Sequence, residues 1–274
     1  LDHPDITVFL HLDRLLGPDA ARAVADSMKR GKLVLIPRRR VHWGGYSQIR
    51  CELALLKVAF SYGFDRYHLL SGKDLLLRPA GEVLAFFDAR GDREFVHFSC
   101  EEATPDIRER FAVYHPFQEM LSRSRLLEKI EWRLVRVQTR LGVDRARKDS
   151  HTFAKGANWF SITGALAKKV LEEEKWIRRR FRCTRCCDEV FLQSIVLSSS
   201  FREYLFNKSF SDDYRGIMRL IDWDRGQPYT FREGDEAELL GSEMMFARKF
   251  DEVAFPDLVR AVFARTCPGE SIEI

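Results

Sequence analysis

The sequence predicts an α/β fold in which a mostly parallel central sheet is flanked by helices. Short apolar segments typical of buried strands alternate with amphipathic helical patterns along most of the 274 residues. Apolar residues make up 45% and charged residues 31% of the chain, which is the balance of an ordinary globular protein. This length allows a substantial core, and we expect a single domain over residues 1–274 with a C-terminal extension across one face.

The first half of the chain contains most of the predicted strands. We expect strands at 6–12, 33–36, 67–70 and 95–98, and helices at 18–29 and 81–87. A long amphipathic helix follows Gly44-Gly45, with Ile49, Leu53, Leu56 and Phe60 on one face. Ligands of parallel α/β sheets bind at the carboxyl ends of the strands. We therefore expect Asp13 and the turn at 71–74 at the binding edge.

The second half of the chain is richer in helices. The pattern predicts a long basic helix over 116–141, whose apolar stripe at Met120, Leu127, Ile130, Leu134 and Val137 is interpreted as core. We then expect strands at 159–162 and 218–223, and helices at 164–174, 188–199, 233–240 and 256–265.

Charge and cysteine content limit the classes of function. A net charge of +4 is too small to indicate nucleic-acid binding. No run of about 18 apolar residues predicts a membrane span, and the six cysteines follow no disulfide framework, which favours a reducing compartment. Basic residues cluster at 38–40 and again at 175–185. Each cluster is either a solvated surface or a contact with phosphates, an anionic polymer or a membrane face.

The acidic pair Asp188-Glu189 opens an apolar helical run, about 30 residues after the segment Lys155-Gly156-Ala157-Asn158-Trp159-Phe160. Carboxylates at a helix start have a structural explanation, because they interact favourably with the helix dipole. The chemical interpretation is a base for a hydroxyl compound, since neither a metal-ligand set nor a Ser/His pair adjoins Glu189. Hydrolysis by paired carboxylates needs a second acid at a set distance, which a sequence does not reveal.

Two cations and a turn are candidate ligand-binding features. Arg248-Lys249 follows an apolar stretch and is either part of an ion pair or a site that neutralises a diphosphate leaving group, with Arg225 and Arg232 as companions. In the turn Ser71-Gly72-Lys73-Asp74, Gly72 permits a close backbone approach and Asp74 offers a carboxylate to a hydroxyl.

Two further segments keep alternatives open. Asp222-Trp223-Asp224 either holds a divalent metal on a nucleotide diphosphate or simply ends a strand and caps the next turn, and we favour the cap. Trp159 either stacks on a sugar face or belongs to the core.

Six segments together resemble the core-2/I-branching glycosyltransferase family, which also holds the peptide O-xylosyltransferases. They occur in the family's order and span nearly the whole chain. The segments are His11-Leu12-Asp13-Arg14, Trp43-Gly44-Gly45-Tyr46-Ser47, Leu70-Ser71-Gly72-Lys73-Asp74, Lys155-Gly156-Ala157-Asn158-Trp159-Phe160, Asp188-Glu189-Val190-Phe191-Leu192-Gln193 and Phe246-Ala247-Arg248-Lys249-Phe250-Asp251.

The resemblance implies a GT-A fold, a UDP-sugar donor and inversion at the anomeric carbon. It implies that Glu189 is the catalytic base, that Lys249 meets the donor diphosphate and that Asp13 touches the nucleoside. A family arginine that shares the diphosphate falls near residue 226, so Arg225 is the candidate and Arg232 the reserve. The branching enzymes use these cations instead of a metal, so no cofactor is expected, with a divalent ion at Asp222 and Asp224 as the alternative.

The remaining expectations concern the donor side, the acceptor and the location. We assign Ser71, Gly72, Asp74 and Arg248 to donor binding, and Trp159 and Asp188 to the acceptor side. The chain resembles the short bacterial members without a membrane stem, and it starts too late to include the family's first strand–helix unit. We therefore expect a cytoplasmic enzyme of polysaccharide biosynthesis, with possible contact at the inner membrane face through the basic clusters.

The donor sugar expected from the resemblance is N-acetylglucosamine or xylose, and the acceptor is a glycan. Two alternative functions remain open from the sequence. One is a catalytically inactive binding module on the same fold, which the absent first unit favours. The other is a glycoside hydrolase that pairs Glu189 with Asp74 or Asp222.

Overall fold

Short strands form three small sheets in this computed structural model. It describes residues 1–268 except 18, 20–22, 25, 27 and 28, and it describes 122 and 123 by their backbone alone. The helix predicted at 18–29 lies largely outside the described residues. The strands are β1 (Thr7–Leu10), β2 (Lys32–Leu35), β3 (Arg66–His68), β4 (Asp74–Leu76), β5 (Phe95–Val96), β6 (Phe160–Thr163), β7 (Arg219–Ile221) and β8 (Phe246–Arg248).

The α-helices surround these sheets. Those in the described residues are α1 (Tyr46–Phe60), α2 (Ala80–Asp88), α3 (Pro105–Ala112), α4 (Arg125–Arg140), α5 (Gly164–Glu172), α6 (Glu174–Phe181), α7 (Phe191–Leu197), α8 (Glu236–Gly241) and α9 (Pro256–Thr266). Four 3₁₀ segments join them, at Gln118–Arg123, Cys187–Glu189, Ser200–Tyr204 and Tyr214–Ile217. None of the helices in the described part of the chain is long and apolar enough to cross a membrane.

The pairing of the strands is mixed. β1 pairs with β2 in parallel, β6 lies between β3 and β5 and is antiparallel to both, and β8 is antiparallel to β4 but parallel to β7. The mixed α/β class is therefore confirmed, whereas a single, mostly parallel central sheet is not. Alternating strands and helices give a parallel sheet only when each helix returns the chain to the same end. β6 instead inserts between β3 and β5 after the long excursion at 97–159.

Two apolar clusters hold the elements together. The larger one joins α1, β6 and the helices α5 to α7, and its members include Ile49, Leu53 and Leu56, as the amphipathic pattern of α1 predicted. The smaller one joins β4, β8, α2 and α9. Because Val96 packs in the larger cluster and Phe95 in the smaller one, β5 lies where the two clusters meet.

The helix predicted over 116–141 differs most from expectation. The chain is 3₁₀ helical at Gln118–Arg123 and becomes α4 only after Ser124, whose hydroxyl accepts from the amides of Leu126 and Leu127. The interpretation of its apolar stripe as core was wrong for Met120, Leu134 and Val137, which are exposed. α4 instead buries Val135 and Glu131, and the Glu131 carboxylate accepts from the amide of Phe117 at 3.1 Å.

Candidate active site

The carboxyl group of Glu189 lies between two cations. Its Oε2 atom is 3.0 Å from Nη1 of Arg110 and 3.6 Å from Nζ of Lys155. Glu189 ends the 3₁₀ turn Cys187–Glu189, and Val190 separates it from α7, so the predicted helix at 188–199 is divided in two. The side chain is 34% exposed, so solvent reaches the carboxylate, and the two cations fix its orientation.

The segment 155–160 supports Glu189 from behind. The amide of Gly156 donates to the carbonyl oxygen of Glu189 at 2.9 Å, which makes the two predicted motifs neighbours. A Cβ atom on Gly156 would lie only 1.7 Å from the carbonyl oxygen of His97, so the position requires glycine. The amide of Ala157 donates to Nδ1 of His97, and Gln193 donates to the carbonyls of both residues.

Two further acids lie next to Glu189. Asp188 is buried, and Nε2 of Gln48 donates to its Oδ2 atom at 3.2 Å. Burial raises the pKa of Asp188 to about 7, and the charge of Glu189 adds to the shift. Burial and the nearby Asp188 raise the pKa of Glu52 well above its ordinary value. Burial therefore favours the protonated forms of these two carboxyl groups.

The turn Ser71-Gly72-Lys73-Asp74 is tied to the segment 246–251. Oδ1 of Asp74 is 3.2 Å from Nη1 of Arg248, and the amide and hydroxyl of Ser71 donate to the same carboxylate. The guanidinium of Arg248 lies over the ring of Trp159 at 3.8 Å. The predicted donor and acceptor residues are therefore in contact with one another, although the Asp74 side chain is only 2% exposed.

The cations proposed for the diphosphate have different surroundings. Arg225 pairs with Asp222, with Asp235 at 3.1 Å and with Glu238 at 2.6 Å. No ion pair engages Arg232 or Lys249 within the described residues. These two cations are close along the backbone, because the amide of Phe231 donates to the carbonyl of Lys249.

Asp222 is used as a cap. Its Oδ1 atom accepts from the amides of Asp224 and Arg225 directly after β7, as the capping interpretation of this segment predicted. No group of three or more His, Cys, Asp or Glu side chains in the described part of the chain is arranged to hold a metal ion.

Asp13 lies near the start of α1. Its carboxylate accepts from the amides of Leu15 and Val41, and the hydrogen bond from Leu15 lowers its pKa most. Val41 immediately precedes the segment 43–47, so the first two predicted motifs are adjacent.

Sequence reasoning missed three contributors to this site. Arg110 lies on α3, whose sequence resembles that of any charged surface helix, so no local signal identified it. Lys155 directly precedes Gly156, and its place in this motif could have identified it from the sequence. Glu52 interrupts the apolar face of α1 between the buried residues Cys51 and Leu53, which also could have been noticed.

A comparison with known protein families identifies the family of this chain. The model of the Core-2/I-Branching enzyme family matches residues 2–245. The class of protein is thus a glycosyltransferase, since that is the activity of this family. The chain belongs to the Core-2/I-Branching enzyme family, as the resemblance predicted, and five of the six segments lie within the matched residues, whereas 246–251 follows them. No curated protein is similar enough in sequence to count as a match.

Proposed function

We propose that this protein is an inverting glycosyltransferase that moves a sugar from a UDP-sugar to a hydroxyl of a glycan acceptor. The observation that carries the proposal is the Glu189 carboxylate, which is partly exposed and is held between Arg110 and Lys155. A base must reach the proton that it removes and must stay ionised until it does so.

In the proposed reaction Glu189 takes the proton of the acceptor hydroxyl while that oxygen bonds to the anomeric carbon of the donor. The bond from the anomeric carbon to the diphosphate breaks on the opposite face, and UDP leaves with the bonding electrons. This displacement inverts the anomeric centre and passes through a state with oxocarbenium character.

We assign the departing diphosphate to Lys249 and Arg232. Both are without an ion pair in the described residues, whereas three carboxylates already neutralise Arg225. Cations aimed at developing negative charge lower the barrier, and here they would take the role of a metal. A GT-A arrangement of the donor site, Asp13 at the nucleoside, a cytoplasmic location and N-acetylglucosamine or xylose as the sugar belong to this proposal.

The hydrolase alternative has less support. Its partner carboxylates would be Asp74 or Asp222, and these side chains are only 2% and 14% exposed, against 34% for Glu189. An inactive binding module differs from the proposed enzyme only in turnover, so a transfer assay separates the two.

The decisive test compares Glu189→Gln with the unchanged protein after a screen of UDP-sugars and glycan acceptors. We expect transfer to fall by about 10²–10⁴-fold, the usual contribution of a positioned base. The affinity for UDP in calorimetry should stay within about twofold, since the base does not bind the nucleotide. Transfer at the original rate by Glu189→Gln would refute the assignment of the base.

The same titrations test the diphosphate site. Lys249→Ala and Arg232→Ala should each weaken UDP binding about tenfold, because each removes a charge-assisted contact of about 1.4 kcal/mol. Arg225→Ala is the matched control and should leave the affinity for UDP within about twofold. If only Arg225→Ala weakened UDP binding, the diphosphate would instead be assigned to Arg225 and its neighbours around Asp222.

A further inference from the structure

A second, strongly basic cleft lies beside the Gly44-Gly45 turn. Its volume is about 730 Å³, which is in the range of small-ligand sites. The two basic clusters of the sequence, at 38–40 and 175–185, both contribute to it. Its arginines are Arg39, Arg50, Arg178 and Arg182.

Positive charge exceeds negative charge in this arginine cleft, because its lining has four arginines and two glutamates. None of its four guanidinium groups has an ion-pair partner among the residues that the structure describes. Of the two acids in the lining, Glu174 pairs with Lys57 at 3.2 Å, whereas Glu119 accepts from the amide of Ser47 at 2.7 Å and keeps its charge. Guanidinium groups that converge on one cleft in this way favour an anionic ligand.

A buried amide in the same lining points to a ligand that also carries hydroxyl groups. Gln118 is only 7% exposed, and its Oε1 atom has no hydrogen-bond partner among the described residues. A buried acceptor without a donor costs about 1–3 kcal/mol, so a donor from the ligand is favoured. A sulfate ion or a bare phosphodiester group offers acceptors only, whereas an acidic saccharide offers acceptors for arginine and hydroxyl donors for Gln118.

The arginine cleft is distinct from the surroundings of Glu189. On one side of α1, Tyr46 and Arg50 lie one turn apart and line the cleft. On the other side of α1, Gln48 and Glu52 lie close to Asp188. The two places are nevertheless close along the chain. Cys183 and Thr184 form one wall of the cleft, and the same segment continues through Cys186, whose amide donates to Gly44, to Glu189.

We propose that the arginine cleft binds an anionic segment of the acceptor glycan, with arginines on its carboxylate or phosphate groups and Gln118 accepting from a hydroxyl. The description of this glycan as the acceptor rests on the proposed function. The cleft would hold sugars some distance from the attacking hydroxyl, and it would select acidic over neutral glycans.

Binding is measured by calorimetry with three tetrasaccharides, one bearing glucuronate, one bearing phosphate and one neutral. We expect either acidic tetrasaccharide, or both, to bind with an affinity that falls with salt, and the neutral one to bind at least about tenfold more weakly. The double variant Arg178→Ala/Arg182→Ala should lose at least about tenfold in affinity for the acidic ligand. Both side chains are exposed, so these variants should fold.

Arg179→Ala is the matched control, because Arg179 is an exposed arginine of the same helix α6 that does not line the cleft. It should leave the affinity within about twofold of the unchanged protein. Equal binding of the neutral tetrasaccharide, or an equal loss in Arg179→Ala, would overturn the proposal. Binding of anionic lipid vesicles with no preference for an acidic saccharide would also overturn it, in favour of a membrane-contact surface.

Transfer assays separate this proposal from that of the enzyme. Glu189→Gln should keep its affinity for the acidic tetrasaccharide while losing transfer. Absence of transfer in the unchanged protein, with binding that still depends on Arg178 and Arg182, would count against the enzyme and not against the cleft. Equal transfer to acidic and neutral acceptors by the unchanged and the double-variant proteins would remove the cleft from acceptor selection.

Discussion

The carboxylates of Glu189 and Asp74 illustrate two uses of the same kind of ion pair. Each lies in a family motif, and each is close to an arginine, at 3.0 Å for Arg110 and 3.2 Å for Arg248. Glu189 is 34% exposed, whereas Asp74 is 2% exposed and also accepts from Ser71. The Glu189–Arg110 pair is accessible to solvent. The Asp74–Arg248 pair links the turn at 71–74 to β8.

The difference shows that a motif residue has chemistry to offer only where its charge is accessible. Arg225 and Arg232 show the same contrast among the cations. Three carboxylates pair with Arg225, whereas no carboxylate in the described residues pairs with Arg232. Matched variants in the two regions test whether this distinction between structural and accessible charges is correct.

The largest expected effect on stability comes from breaking the buried pair. Arg248→Ala leaves Asp74 buried without its cation, and we expect the free energy of unfolding in urea to fall by about 3–5 kcal/mol. Arg110→Ala opens a partly exposed pair and should cost less than about 1 kcal/mol. Equal losses in the two variants would mean that the two pairs do not differ as their exposure indicates.

The next largest expected change in stability comes from substituting the glycines of two motifs, Gly156 and Gly72. Gly156→Ala places a methyl group against the carbonyl oxygen of His97, and we expect a loss of about 3 kcal/mol in the free energy of unfolding. Gly72→Ala is the control, because a Cβ atom there meets nothing within 4 Å, and its stability should change by less than about 1 kcal/mol. A tolerated Gly156→Ala would show that the segment 155–160 is not packed tightly behind Glu189.

The smallest expected change is in how the free energy of unfolding depends on pH. The pKa of Asp188 rises from its ordinary value of 3.8 to about 7 on folding, so its contribution to stability is complete below pH 3.8 and is lost as the pH rises through 7. Asp188→Asn does not ionise. Between pH 4 and pH 8 the unchanged protein should therefore lose on the order of 2 kcal/mol relative to this variant, since the ionisation of Asp188 is coupled to that of Glu52.

Urea denaturation at a series of pH values measures this difference. Asp224→Asn, at an exposed aspartate, is the control and should follow the pH dependence of the unchanged protein. Parallel curves for Asp188→Asn and the unchanged protein would show that Asp188 ionises as freely in the folded state as in the unfolded one.

The sequence by itself determined the mixed α/β class, the buried face of α1, the order of the six motifs and the position of the Asp188-Glu189 pair ahead of α7. These features depend on periodicity and on neighbouring residues, which a single chain displays directly. The exposed stripe of α4 was not predictable in the same way, because burial depends on what packs against a helix rather than on its own pattern.

Only the tertiary structure decided which charges meet. Arg110 reaches Glu189 from 79 positions away, and Arg248 reaches Asp74 across the β4–β8 pairing. The cleft that joins Arg39 to Arg178 and Arg182 is also a product of packing. An ion pair needs two side chains within about 4 Å, and chain separation carries no information on that distance until the core has brought the elements together.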